Sequence, residues 1–497
     1  MDCFLGLDNG GSVTKAALFD SKGKELGVGS VNIAMKYPSP GFTERDIDML
    51  WEANMEAIRI VLKKSGVNPE DIKGISVTGY GNGMIMIDEE GNALYDAIIS
   101  TDSRAQDIVD GWYADGTFEK LFGYTKQSIW AAQPVSLLSW FKEHDPEVVK
   151  RTRWVLMVKD YIRYKLTGEV FAELSDYSGT NSVDLTTGTY NEEIFELLGL
   201  SDCMDKFPPL VLATDLCGSV TAEVAQQTGL KESTPVSGGL FDIHASCYAS
   251  GITSEGMLSC VAGTWTINQM LSRTPSENID IFMNSRSPID GLTLVTEASP
   301  TSASNLEWFI KENMGLRKQE ILGKGEDFYK YCEEQMRSVT EDSELLFLPF
   351  LYGCNVKGNM KAAFWGLESW HEQRHMLKAI HEGILFSTRM HVERLCEGGK
   401  KPTFCRLAGG PARSKYWVEL YANVLQIPVE VVTVSEMGAL GAAMTAAVAT
   451  GYYPNMREAA QSMVTTGALI EPDSSIASTL DASYNRYVRL INACSDR

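Results

Sequence analysis

The 497-residue chain has no apolar run long enough to cross a bilayer. Its longest weakly polar stretch, Met437 to Thr450, is 14 residues rich in Ala and Gly, short of the roughly 20 that a spanning helix needs. The N-terminus, MDCFLGLDNGG, lacks a basic leading segment and carries an acid at position 2, so it does not read as a secretory signal and a cytoplasmic location is expected. Positive charge is scarce: 44 Lys and Arg face 65 Asp and Glu, a net charge of −21. With no basic stripe or aromatic-interleaved basic patch, neither nucleic acid nor an anionic membrane is an expected partner. The ten cysteines form no CxxC pair and no Cys/His cluster at zinc spacing, which argues for reduced, mostly buried thiols and against zinc or disulfides. A Walker loop and a GxGxxG fingerprint are also absent, so those nucleotide folds are unsupported.

What remains is a soluble globular composition, 44% hydrophobic and 22% charged, in a chain longer than one hydrophobic core usually fills. Two or more domains are expected. Pro235 to Trp265 carries two glycine turns, Gly238-Gly239 and Gly263-Thr264. Asp242 lies between them at the end of an apolar approach that includes Phe241. A carboxylate so placed can act as a base.

Cys3 to Leu7 and Ala16 to Phe19 read as a β-hairpin with an unusual tip, Asn9-Gly10-Gly11-Ser12-Val13-Thr14-Lys15. Gly-Gly-Ser permits consecutive N–H groups to converge on an anion, although an ordinary hairpin turn would use the same letters. Asp8 at the strand end could hold a hydrated Mg2+ and Lys15 could meet a phosphate. Thr43 to Gly66 reads as a helix capped by Thr43, with Leu50, Trp51, Met55, Ile58 and Leu62 as its core stripe. A strand over Ile72 to Thr78 empties into Gly79-Tyr80-Gly81-Asn82-Gly83, either a place of close ligand approach or a flexible connection. Asp102 and Arg104 end a short strand; they could bond a polyhydroxylated ligand or pair with each other. The aromatic, helical text from Gln106 to about Asp205 includes the polar loop Ser175 to Asn181.

The second half repeats the grammar of the first. Met257 to Val261, Gly263-Thr264-Trp265 and Thr266 to Leu271 again read as strand, Gly-hydroxyl loop, strand, which suggests a duplicated domain with a nucleotide held between its halves. Arg406 to Gly410 is a strand ending in Gly409-Gly410 before a helix opened by Pro411 to Ser414, a surface that can accept a purine ring. His375, His381 and His391 lie on helical text without matching acids and carry no metal reading. The small-residue helix at Gly438 to Ala443 is explained by close packing.

Taken in order, GLDNGGSVTKAALFD, TDSR, GGLFD, GTW, Ala362 to Gly383, RLAGGPARSKYWVELYANVL and EMGALGAA resemble the FGGY family of carbohydrate kinases, over Phe4 to about Gly451. The resemblance implies an α/β fold of two actin-like ATPase (ribonuclease H-like) domains with a ligand cleft between them, here 1–245 and 246–497. It implies transfer of the γ-phosphoryl of ATP to a sugar hydroxyl, with ATP and Mg2+ as cofactors and a small sugar as partner, and it leaves room for a homodimer. Residue by residue it matches Asp242 to the general base and Asp8 to the metal-associated acid. Asn9, Gly10, Gly11, Ser12, Thr14 and Lys15 match the first phosphate loop, Gly263 and Thr264 the second, and Gly409, Gly410 and Ser414 the nucleotide pocket. Gly81, Asn82, Asp102, Arg104, Phe241 and Asp242 match sugar-binding positions. FDIHAS, GTW and EASPTSASNLEWF most resemble the L-xylulose kinase branch, which includes 3-keto-L-gulonate kinases. Kinases of a polyol such as erythritol or glycerol, and a non-catalytic sugar- or nucleotide-binding regulator on the same fold, are the alternatives.

Overall fold

A computed structural model describes residues 1–263, 265–300, 302–341, 343–355, 360–397 and 399–495. The chain forms two compact units. The first takes Met1–Ser254 with Leu271–Val295 and Val434–Thr465; the second takes Glu255–Met270, Thr296–Thr433 and the chain from Thr466 on. Two later segments, Leu271–Val295 and Val434–Thr465, thus return to the first unit.

The first unit is built on a mixed sheet in the order Leu216–Ser219, Pro235–Ser237, Ile72–Gly79, Cys3–Asn9, Val13–Asp20, Glu25–Asn32. Cys3–Asn9 runs antiparallel to Val13–Asp20 and parallel to Ile72–Gly79. Phe4, Leu5, Leu7, Ala16, Ala17, Leu18 and Phe19 are all buried, as near-continuous apolar runs require in a sheet covered on both faces.

Two glycines show which helix covers which face. A Cβ on Gly6 would fall 1.9 Å from Ala439 O in the helix Met437–Ala449, and one on Gly29 would fall 2.1 Å from Ala57 O in the helix Ile47–Ser65. Gly6 pairs with Ala17 and, across it, Val28, whereas Leu7 pairs with Ala16 and, across it, Gly29. Neighbouring residues on a strand point to opposite faces, so the two helices lie on opposite sides of the hairpin. The small-residue helix is close-packed as expected: a Cβ on Gly441 would sit 2.3 Å from Ala245 O.

The helix expected from Thr43 starts later, at Ile47, with Asp46 as its N-cap accepting from the N–H groups of Asp48 and Met49. Glu44–Arg45 instead pairs with Ala97–Ile98 as a short strand, which withholds Thr43 from the helix.

The second sheet takes the order Met283–Arg286, Thr293–Ser299, Thr266–Ser272, Met257–Ala262, Phe404–Gly409, Val429–Val432, Thr466–Ile470. Met257–Ala262 is antiparallel to Thr266–Ser272 and parallel to Phe404–Gly409, which is parallel to Val429–Val432; the last strand closes antiparallel. This repeats the hairpin-and-parallel-strand pairing of the first sheet, so the duplication faint in the letters is plain in the topology. His375, His381 and His391 are buried on the helix Gln373–Leu395. His391 does have an acid, its Nδ1 lying 2.6 Å from Glu297 Oε2, but no metal-binding group of three or more His, Cys, Asp or Glu occurs among the described residues. Among the described residues no cysteine is in a disulfide, and no helix is long and apolar enough to cross a membrane.

Candidate active site

Val236 pairs with Ile75, the chain turns at Gly238-Gly239, and Leu240–Phe241 pairs with Thr78 and Gly79 on the same strand. Gly239 makes this turn possible: its φ is +96°, and a Cβ there would lie 2.5 Å from Val77 O. Asp242 follows as the first residue of the helix Asp242–Ala249. Loss of water pushes its carboxyl well above the usual carboxylate range, and the neighbouring charges of Asp8 and Asp176 push it the same way, against a hydrogen bond from the Ile243 N–H. A carboxyl so placed gives up its proton less readily than a free one. His244 is no competitor, because burial and the Lys159 charge press its imidazole down to about 3, and its Nε2 lies 2.7 Å from Ser285 Oγ.

Asp8 and Lys15 are directly opposite one another in the hairpin, on the face of the small-residue helix. Lys15 Nζ reaches Glu436 Oε2 at 2.8 Å. Gly438, in the first turn of that helix, lets it approach: a Cβ would lie 2.4 Å from Asp8 Oδ2. Burial raises the Asp8 carboxyl to about 6, with Lys15 lowering it and Glu436 raising it. A carboxylate with a second acid close by suits a hydrated Mg2+, which typically keeps several waters and takes only one or two protein carboxylates. Asn9 and Thr14 occupy the other face. Thr14 Oγ1 donates to Asn9 Oδ1 at 3.2 Å, and Asn54 Nδ2 donates to the same oxygen at 2.8 Å. These two side chains tie the hairpin to the helix Ile47–Ser65, while the tip at Gly11 and Ser12 is exposed and Gly10 is held by its N–H bond to Val13 O.

In the loop Gly79 to Gly83, Gly81 packs against Phe241 and Asp176; a Cβ would lie 2.2 Å from Phe241 Cε2 and 2.9 Å from Asp176 Oδ1. Asn82 is buried with φ +63°, and its Oδ1 has no hydrogen-bond partner among the described residues. Asp102 and Arg104 pair with each other. Arg104 Nε and Nη2 each lie 2.9 Å from a carboxylate oxygen of Asp102, Nη2 also reaches Glu44, and the guanidinium centre lies 4.0 Å from the ring centre of Phe42. Asp102 in turn accepts the Thr43 N–H at 2.7 Å.

In the second unit, Gly409 has φ +95° and so little room that a Cβ would meet Ala262 O at 2.1 Å, whereas a Cβ on Gly410 would meet open space. That space is a cavity of about 550 Å³ whose lining includes Gly263, Gly410, Pro411, Trp308, Lys311 and Tyr352. One glycine from each of the two strand-end loops thus faces the same cavity, with exposed aromatic surface on Trp308 and Tyr352. Ser414 acts as the cap of the helix Lys415–Leu425, accepting from the Trp417 N–H and donating to Glu333. Thr264 lies outside the described residues.

The sequence did not single out Asp176, Glu436, Gly438, Trp308 or Lys311 as site residues. Asp176 had a signal in the polar loop Ser175 to Asn181, and Gly438 in a helix otherwise explained by packing. Trp308 lay within the quoted string EASPTSASNLEWF without being marked as a site residue, and Lys311 carried no signal, being an ordinary amphipathic-helix letter.

The N-terminal domain of the FGGY family of carbohydrate kinases matches residues 3–248, and its C-terminal domain matches residues 258–450. The L-xylulose/3-keto-L-gulonate kinase of Escherichia coli (strain K12) is 38% identical over 492 residues, covering 99% of this chain and 97% of that one. The probable L-xylulose kinase of Pasteurella multocida (strain Pm70) is 36% identical over 495 residues, 99% of each. Among solved structures, the xylulose kinase from Rhodospirillum rubrum has a TM-score of 0.87 at 25% identity, covering 99% of this chain and 98% of that chain.

Proposed function

The chain belongs to the FGGY family of carbohydrate kinases, and from that membership we propose that its acceptor is L-xylulose or a closely related ketose, with Asp242 as the general base. That it is an ATP-dependent sugar kinase of the kind most like the L-xylulose kinase branch follows from the family and the full-length relatives. The single observation that carries the role of Asp242 is its placement: a carboxylate opening a helix just past a glycine turn, flanked by Asp8 and Asp176, with its proton affinity raised by burial and by both acids.

Phosphoryl transfer asks the protein mainly for positioning and for groups that meet spread negative charge. Asp242 takes the proton of the attacking hydroxyl, a contribution typically worth ~10²–10⁴-fold. Gly81 and Phe241 shape the space beside it, and Asn82 Oδ1, without a partner among the described residues, meets a sugar hydroxyl. The exposed Gly11 and Ser12 and the ammonium of Lys15 meet phosphate. Gly263 and Gly410, with Trp308 and Tyr352, receive the nucleotide base in their cavity. Mg2+, when bound at Asp8, would supply charge neutralisation for the polyphosphate.

A coupled assay of ADP release tests the substrate against L-xylulose, D-xylulose, 3-keto-L-gulonate, gluconate, glycerol and erythritol. The expected result is that L-xylulose or 3-keto-L-gulonate gives the highest kcat/KM and that turnover without acceptor is negligible. A preference for D-xylulose or a polyol overturns the substrate assignment, and sugar-independent hydrolysis at the full rate overturns the role of Asp242 as base toward a sugar hydroxyl.

A further inference from the structure

Beneath the turn that presents Asp242 lies a group of five charged side chains, Lys159, Asp160, Arg163, Glu173 and Asp176, none more than 1% exposed. Lys159 Nζ lies 2.8 Å from Asp160, 3.3 Å from Asp176 and 3.6 Å from Glu173, and Arg163 Nη1 lies 2.9 Å from Asp160. Two cations against three acids leave one negative charge in excess, and burial raises the Asp176 carboxyl to about 8 against the pull of Lys159. Buried ion pairs add little to stability, because desolvation cancels much of the attraction. A cluster of this size therefore needs another reason to be where it is.

The reason lies in what the cluster holds. Arg163 Nη1 donates to the Gly238 carbonyl at the start of the turn. At its other end, the Phe241 N–H donates to Ser175 Oγ at 3.4 Å, and Ser175 Oγ donates in turn to Glu173 Oε2 at 2.7 Å. Glu173 Oε1 accepts the Ser175 N–H at 2.7 Å, which fixes the serine from both sides. The turn Gly238 to Phe241 is thus gripped at each end by the same buried network, one through a guanidinium and one through a hydroxyl.

We propose that Ser175, oriented by Glu173 and the Lys159–Arg163 cluster, is a positioning residue that sets where Asp242 stands relative to the acceptor hydroxyl. This rests on the reading of Asp242 as the base. The hydroxyl is the link that can be cut while Glu173 keeps the Ser175 and Asp176 N–H groups and the Lys159 ammonium as partners. Removing it cuts the side-chain tie on the Phe241 N–H and leaves the strand pairing with Gly79 to place Phe241, which is bonded to the residue whose carboxylate takes the proton. Geometry of that kind is expensive to lose: a shift of about 1 Å can cost ~10²-fold in rate.

The test compares Ser175→Ala, Ser175→Thr and Asp242→Asn in the full-length protein by steady-state kinetics, melting temperature and calorimetric ADP binding. The expected outcome is a kcat for Ser175→Ala lowered by ~10-fold or more, with the KM for ATP, ADP affinity and melting temperature unchanged, and with kcat largely restored by Ser175→Thr, which keeps the hydroxyl. A kcat equal to wild type overturns the proposal. So does a loss of kcat that comes with equal losses in melting temperature and ADP affinity, since that is the pattern of a packing residue. If Asp242→Asn itself turns over normally, the assignment of the base fails; if Asp242→Asn is inactive and Ser175→Ala is not impaired, only the positioning role fails.

Discussion

Replacing Gly81 by alanine would set a methyl carbon 2.2 Å from Phe241 Cε2, 2.4 Å from its Cζ and 2.9 Å from Asp176 Oδ1. Carbon atoms rest at about 3.5–4.0 Å, so the ring has to retreat by about 1.3 Å or more, or the loop by a similar distance. Neither is free to do so. Phe241 is buried and pairs with Gly79 in the sheet, and Asp176 is fixed against Lys159. The strain of forcing a methyl into such a place is typically ~1–3 kcal/mol, which a chain of this size survives. The functional cost is larger in effect, because Asp242 is the next residue along and a displacement of about 1 Å at a reacting group costs ~10²-fold, or about 2.7 kcal/mol of barrier. Steady-state assays of Gly81→Ala should therefore show kcat/KM for the sugar down by ~10²-fold with the protein still folded. Gly123→Ala is the matched control. It lies in the helix Thr117–Thr125 with nothing within 4 Å of the added carbon, and it should leave activity unchanged while raising stability by up to ~1 kcal/mol. Wild-type kcat/KM in Gly81→Ala would refute the reasoning, since it would mean that Phe241 can move without consequence for Asp242.

Asp242→Asn should lower kcat by ~10²–10⁴-fold yet melt no lower than wild type at pH 8. The folded state favours the protonated acid, so ionising Asp242 costs stability as pH rises, and the amide abolishes that cost. Asp8→Asn should raise the Mg2+ concentration needed for half-maximal activity and, for the same linkage reason, should melt higher than wild type above pH 6. The Asp8 carboxyl goes from 3.8 to about 6 on folding, so its favourable contribution is complete below pH 4 and is lost as pH rises through about 6, by at most about 3 kcal/mol before solvent screening. A melting curve of Asp8→Asn that tracks wild type across pH 4–8 contradicts this. Gly410→Leu should raise the KM for ATP by ~10-fold or more, equivalent to about 1.4 kcal/mol, without lowering the melting temperature, because its side chain enters open cavity rather than protein; unchanged ATP kinetics would remove that cavity from the nucleotide site.

Much of the architecture could be read from the letters, because it rests on local rules. Continuous apolar runs separated by Gly-Gly-Ser or Gly-Thr declare paired strands. The small-residue helix declares close packing, and the order of seven short motifs declares the family. Asp242 was visible as an acid between two glycine turns. Asp102 and Arg104 were legible as a pair, though not as one enclosed by Glu44 and Phe42.

Other features depend on contacts that no local pattern encodes. Glu436 and Lys15 are 421 residues apart and meet at 2.8 Å; only the return of Val434–Thr465 to the first unit brings them together. Strand pairing put Asn9 and Thr14 on the face opposite Asp8 and Lys15, a division that follows from an alternation of period two but needs the register to assign. Ser175 and Phe241 share a hydrogen bond across 66 residues. By itself the sequence determined most of the elements and the family, and it marked Asp242 as an acid between two glycine turns, since these follow from spacing and residue type. The tertiary structure alone decided which acids and cations surround Asp242 and what grips the turn beneath it, because electrostatics and positioning depend on distance in space.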